Sequence, residues 1–226
     1  MIFLRIKIIL LWSILLLLLS ACEEKRKFTM DLSDFLIVDK NATYVYKMVD
    51  THEVNGEKEP FMPERTMEKQ ITQAGNNCIN IQSYVLFSDT DIEQMDKRLR
   101  AELKDNKLRT IDEKYCVDGN TLKINGQIHM NLDKRWNIIS ESIPADGSKS
   151  TENKIECQVV DVSERVLLSK KRKIIHTQCK SELFETMDWF FAEKIGLYKM
   201  KTVSTFPEFH SQSTNEVILV REKLER

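Results

Sequence analysis

Glycine and proline are scarce in this chain, 6 and 4 of 226 residues. That excludes collagen-like and proline-rich linker architectures, which need far more of both. An excess of one charge sign is also missing. Lys and Arg total 34 against 35 Asp and Glu, for a formal net charge of -1. Nucleic-acid binders usually carry a basic balance, so no nucleic acid is expected as a partner. A disordered chain would combine more net charge with fewer apolar residues than the 42% present. No GxSxG elbow, P-loop or GxGxxG fingerprint occurs. His52, His129, His176 and His210 show no HxH or HxxxH spacing. The carboxylates are scattered among lysines, which fits solvated strand faces. No catalytic residue, metal site or cofactor is therefore expected. What remains is a globular chain, with one main domain at this length.

A long apolar run is present only at the start. Arg5 and Lys7 precede an apolar run from Ile8 to Leu19, followed by Ser20-Ala21-Cys22. This is the pattern of a basic n-region, an h-region and a small-residue cleavage site. A permanent span needs about 20 apolar residues, so the run is short for one. Leu19-Ser20-Ala21-Cys22 resembles a bacterial lipobox. The resemblance implies cleavage before Cys22, a diacylglyceryl thioether on its sulfur and acylation of the new amine. A thiolate suits that alkylation because it is the strongest nucleophile among the side chains. The competing reading is an ordinary secretory signal with an incidental cysteine. The expected organisation is a signal peptide over 1–21, a lipidated Cys22 and tether over 22–30, and a single β-rich periplasmic domain over 31–226. Glu23, standing where an Asp would signal inner-membrane retention, implies the outer membrane.

Cys78, Cys116, Cys157 and Cys179 are left, an even number in an oxidising compartment. Four cysteines allow three connectivities. The sequence-local one is Cys78–Cys116 with Cys157–Cys179. Buried free thiols and a functional cysteine are the alternatives; no CxxC pair suggests a metal.

Turn signals divide the rest. Asn55-Gly56, Gly75-Asn76, Asp118-Gly119, Asn125-Gly126 and Asp146-Gly147 punctuate short apolar runs. Strands are expected over 43–49, 68–73, 78–87, 115–117, 120–124, 127–130, 136–139, 155–162, 174–184, 189–191, 197–203 and 216–220. Thr90-Asp91-Ile92-Glu93 reads as a capping box, with Ile92, Met95, Leu99 and Leu103 following at helical spacing. One amphipathic helix near 91–104 is expected. The basic run Lys170-Lys171-Arg172-Lys173 reads as an exposed hairpin turn, or as a contact for lipid phosphates or an acidic partner.

Two passages resemble a broad group of poorly characterised bacterial lipoproteins. Asp34 to Tyr46 is similar to that group's opening "YFPLxxGNxWxY" strand, through Phe35, Asn41, Tyr44 and Tyr46. Trp189-Phe190-Phe191-Ala192-Glu193-Lys194-Ile195-Gly196-Leu197-Tyr198-Lys199 is similar to its "WFAxGVGLVK" hairpin. The resemblance implies a mainly β (α+β) fold, a curved antiparallel sheet or open half-barrel. It carries no catalytic residues.

The expected function is non-enzymatic. An outer-membrane-anchored periplasmic domain would meet the membrane through its lipid. It would bind an apolar ligand or an envelope protein, with Tyr44, Tyr46, Trp189, Phe191 and Tyr198 as a candidate apolar groove. The alternatives are an inhibitor or immunity-type lipoprotein that blocks a cell-wall hydrolase, and an envelope hydrolase.

Overall fold

The computed structural model describes residues 30–36, 42–60, 64–75, 77–94, 97–101, 103, 106–110, 112–142, 151–182, 185–206 and 211–224. The signal peptide, Cys22, the tether up to residue 29, and Asn41 lie outside the described residues.

The chain is mainly β. Its strands are β1 (Ala42–Val54), β2 (Glu57–Pro60), β3 (Arg65–Ala74), β4 (Cys78–Leu86), β5 (Lys107–Arg109), β6 (Glu113–Asp118) and β7 (Thr121–Ile124). There follow β8 (Gln127–Asn131), β9 (Trp136–Ser142), β10 (Thr151–Leu167), β11 (Lys170–Lys180), β12 (Thr186–Ala192), β13 (Gly196–Phe206) and β14 (Ser211–Leu224). They form one antiparallel sheet in the order β8-β7-β6-β4-β3-β1-β14-β13-β12-β11-β10-β9, with β2 on β1 and β5 on β4. Two six-strand meanders are thus zipped together by β1 and β14, in register from Ala42↔Leu224 to Val54↔Ser211 with one bulge at Val45/Tyr46. The sheet curls until its edge strands approach one another. His129 on β8 stacks on Trp189 of β12 at 4.9 Å between ring centroids. The expected open half-barrel is therefore a nearly closed barrel.

Local chemistry explains the turns. Asn55-Gly56 and Asn125-Gly126 both have positive φ, the conformation that two-residue hairpins demand. Leu168 and Ser169 adopt the same conformation with φ of 50° and 62°, although neither is a usual residue there. Gly196, at φ 76°, opens β13 two residues before the bulge that sets Phe190↔Lys199 and Phe191↔Leu197.

The helical region differs from the expectation. Among the described residues the helical segments are α1 (Asp89–Gln94) and α2 (Lys97–Ala101), so helix begins at Asp89 rather than near 91, and Met95 lies outside the described residues. The cap is Ser88 rather than Thr90. Ser88 N–H and Oγ–H both donate to Asp91 Oδ2, and Asp91 N–H donates back to Ser88 Oγ at 3.2 Å. That reciprocal pair is a capping box set earlier in the chain, at Ser88 and Asp91 instead of Thr90 and Glu93. The expected 174–184 strand ends at Lys180, and β2 and β5 are strands with no apolar alternation to announce them.

Cross-strand partners are joined covalently in each meander. Cys78 lies opposite Cys116 on β4 and β6, and Cys157 opposite Cys179 on β10 and β11. Both pairs form disulfides with Cα atoms 4.1 Å apart. On the outer face, Glu68 ties three strands together. It is almost fully buried and accepts from Lys107 Nζ at 2.6 Å and Lys223 Nζ at 2.8 Å. Burial alone would raise its pKa, but the two ammonium groups outweigh it and hold the carboxyl below its ordinary value.

Candidate functional site

Four of the five aromatic residues expected to line a groove are packing elements. Tyr44, Tyr46, Phe191 and Tyr198 are buried and belong to the core. Tyr46 OH donates to the Leu197 carbonyl at 2.8 Å, which locks β1 to β13 across the interior. Alternation separates Phe190 from Phe191. Phe191 faces inward and is fully buried, whereas Phe190 stacks on His176 at 4.2 Å. Trp189 is different. It is also buried, but it forms the back wall of an open groove.

That groove sits where the barrel fails to close. β8 and β9 end the sheet, and no ladder joins them among the described residues. Gln127 Nε2 reaches across the seam to the Ile139 carbonyl at 3.4 Å. The space beside it, about 590 Å³, is lined by Gln127, His129, Ile138, Ile139, Ile155, Met187 and Trp189. Ile138 and Ile139 are adjacent in β9, so they point to opposite faces. Ile138 is buried, and Ile139 is 56% exposed, an unusual place for a large apolar side chain. The seam therefore offers an open slot of mixed lining, backed by apolar side chains with an amide and an imidazole at one lip. Its size falls within the ordinary range of small-ligand sites.

His129 supplies the titratable group. Its Nδ1 lies 3.1 Å from the Gln127 carbonyl. Burial against Trp189 pushes its pKa down, while the Gln127 carbonyl and the Glu113 carboxylate act in the opposite direction. A histidine with a lowered folded pKa binds its proton more readily when unfolded. Stability is then lost as pH falls below about 6.5, the ordinary histidine value, and the loss levels off below the folded pKa. Between pH 7.5 and 5.5, His129→Gln is expected to flatten part of the acid-induced fall in urea midpoint. An unchanged pH slope in that variant would show that His129 does not contribute.

The barrel interior carries one further polar cluster. Lys69 on β3 and Glu113 on β6 flank β4 on its inner side, with Nζ and Oε2 2.6 Å apart. Tyr115 OH lies 3.3 Å from the same oxygen, and Lys69 Nζ stands 5.7 Å from the Tyr46 ring centroid. Burial raises the pKa of both phenols. The cluster is an internally satisfied brace rather than a pocket.

His176 and His129 do not meet. His176 Nε2 pairs with Asp188 Oδ1 at 2.7 Å on the outer face, and Gln178 Nε2 donates to the same oxygen at 3.2 Å. The seam residues Ile138, Ile139, Ile155 and Met187 were not marked by sequence reasoning. The signal was the Ile138-Ile139 doublet, because consecutive apolar residues in a strand must place one of them outside.

No protein-family model matches this chain, and no curated protein matches it. Among solved structures, it is similar to a candidate lipoprotein of Parabacteroides distasonis at 10% identity, covering 86% of this chain and 100% of that one, with a TM-score of 0.35. It is similar to a candidate exported protein of Bacteroides fragilis with a YmcC-like fold, also at 10% identity and a TM-score of 0.35, over 84% and 98% of the two chains. A DUF1329 family protein of Desulfovibrio piger aligns at 6% identity over 82% and 86%, with a TM-score of 0.23.

Proposed function

We propose that this chain is an outer-membrane lipoprotein facing the periplasm, and that its unclosed seam takes up an apolar ligand. The anchoring half of the proposal rests on Leu19-Ser20-Ala21-Cys22. The binding half is carried by one observation: the slot between β8 and β9, with Ile138, Ile155, Met187 and Trp189 inside and the exposed Ile139 at its edge. An apolar ligand would remove that surface from water, at about 25 cal/mol per Å² covered. Gln127 and His129 are placed to meet a polar head at the lip.

The test uses a dansylated fatty acid as probe, with Trp189 as energy-transfer donor. Binding with a Kd in the micromolar range is expected. Ile139→Glu, at an exposed position, is expected to weaken it at least tenfold without lowering the melting temperature. Equal binding by the wild type and Ile139→Glu would overturn the site. For the anchor, Cys22→Ser is expected to abolish partition into the membrane fraction. Unchanged fractionation would sink that half alone.

A further inference from the structure

The end of the β10–β11 hairpin concentrates charge that the rest of the chain lacks. Glu164 to Lys173 holds five basic residues (Arg165, Lys170, Lys171, Arg172 and Lys173) and one acidic residue, in a chain of net charge -1. The hairpin extends past both neighbours. β9 begins opposite Cys157, and β12 ends opposite Ile174. Its surface is basic and apolar together: Arg165, Lys170, Lys171 and Lys173 are exposed, and Val166 is 75% exposed. Glu164 pairs with Lys171 and also faces Lys173 across the ladder, so one acid stands against four exposed cations at the hairpin end. Arg172 is spent differently. It is buried and donates to the Glu193 carbonyl at 2.7 Å.

The position of this end matters as much as its charge. Glu193 N–H donates to the Lys173 carbonyl at 3.0 Å, and the next residue, Lys194, donates from its N–H to the Asp34 carbonyl at 2.6 Å. Asp34 belongs to a short 3₁₀ turn, Leu32–Phe35, whose Leu32 and Phe35 are buried. The base of the hairpin, the β12–β13 turn and the point where the chain enters the barrel therefore share one pole. From Cys22 to Met30 the backbone can span at most roughly 30 Å. Whatever surface holds Cys22 is therefore close to this pole.

We propose that the Glu164–Lys173 hairpin end is a second membrane contact, lying against anionic phospholipid headgroups at the pole where the tether enters. The occupant follows from charge complementarity and from the short reach of the tether, so the proposal rests on the lipid-anchor reading of Cys22. Each Lys or Arg near an anionic surface strengthens attachment by about fivefold. Val166 adds a small apolar foothold between headgroups. One anchoring device holds the domain at the membrane, and the other fixes which pole faces it.

The hairpin is testable without any acyl chain. The chain from residue 22 onward keeps every described residue, and Cys22→Ser prevents lipidation. This protein would be sedimented with vesicles of phosphatidylethanolamine and phosphatidylglycerol (7:3), and with phosphatidylethanolamine and phosphatidylcholine as the neutral control. At least a tenfold preference for the anionic vesicles at low salt is expected, disappearing in 1 M salt, where the Debye length is about 3 Å. K170Q/K171Q/K173Q is expected to remove the preference, and K58Q/K154Q, away from this pole, to retain it. No preference in the parent protein, or an undiminished one in the triple variant, would overturn the proposal. Mass analysis of the membrane-derived wild type separates the two readings. An unacylated Cys22 beside a positive vesicle result removes the anchor and leaves the hairpin contact standing.

Discussion

Glu113→Gln is expected to cost about 3–5 kcal/mol of unfolding free energy, because it strands the Lys69 ammonium inside the barrel. The two partners are not equally placed. The Lys69 side chain is 8% exposed and that of Glu113 is 28%. Lys69→Met leaves a carboxylate that water can still reach, so its cost should be nearer the 1.5–3 kcal/mol of a lost charged hydrogen bond. The double variant K69M/E113Q removes both charges and should recover much of the loss, since replacing a buried pair is often neutral. Urea melts of the four proteins, at constant slope, measure the cycle. Equal losses for the two single variants would show that burial does not set the asymmetry.

The disulfides give the second large effect. Cys78 and Cys116 are 38 residues apart, and Cys157 and Cys179 are 22 apart. In the chain-entropy account, loops of those lengths contribute about 3–4 kcal/mol each. At this size a kilocalorie moves the melting temperature by roughly 2–4 °C, so each paired replacement by alanine is expected to lower it by roughly 6–16 °C. Removing both bridges threatens folding outright, because whole-domain stabilities are only about 5–15 kcal/mol. Thermal melts before and after reduction read this out, with thiol mass mapping to show that the bridges opened. An unshifted melt with four free thiols would refute it.

Much of the strand pattern was readable because it is local. Asn55-Gly56 and Asn125-Gly126 dictate hairpins by their backbone freedom, and Tyr115 to Met130 folds as the short meander its turns imply. The Leu168-Ser169 turn was signalled only indirectly, by the basic run beside it, since its residues are not turn formers. Closure was not readable at all. It depends on β1 meeting β14, a pairing between residues almost a chain length apart. The candidate site suffered for the same reason. The aromatic residues of the terminal passages were recognisable as apolar, but which of them would be walled in depended on that closure. Trp189 borders the seam only because β8 is carried round to it by five intervening ladders of the first meander and by the β1–β14 pair.

The β1–β14 ladder also sets an order of events. Every other ladder of the main path joins strands that follow one another closely within one meander, and both disulfides lie within a meander as well. Each half can therefore organise from neighbouring segments as they become available. The halves cannot join until the last fourteen-residue strand has been delivered. Before that moment β1 presents an open edge, the kind of surface that invites pairing with the wrong chain. Long-range pairing of this sort slows folding. The exposed interval for β1 therefore spans the making of every strand between it and β14, and it closes only when β14 follows them.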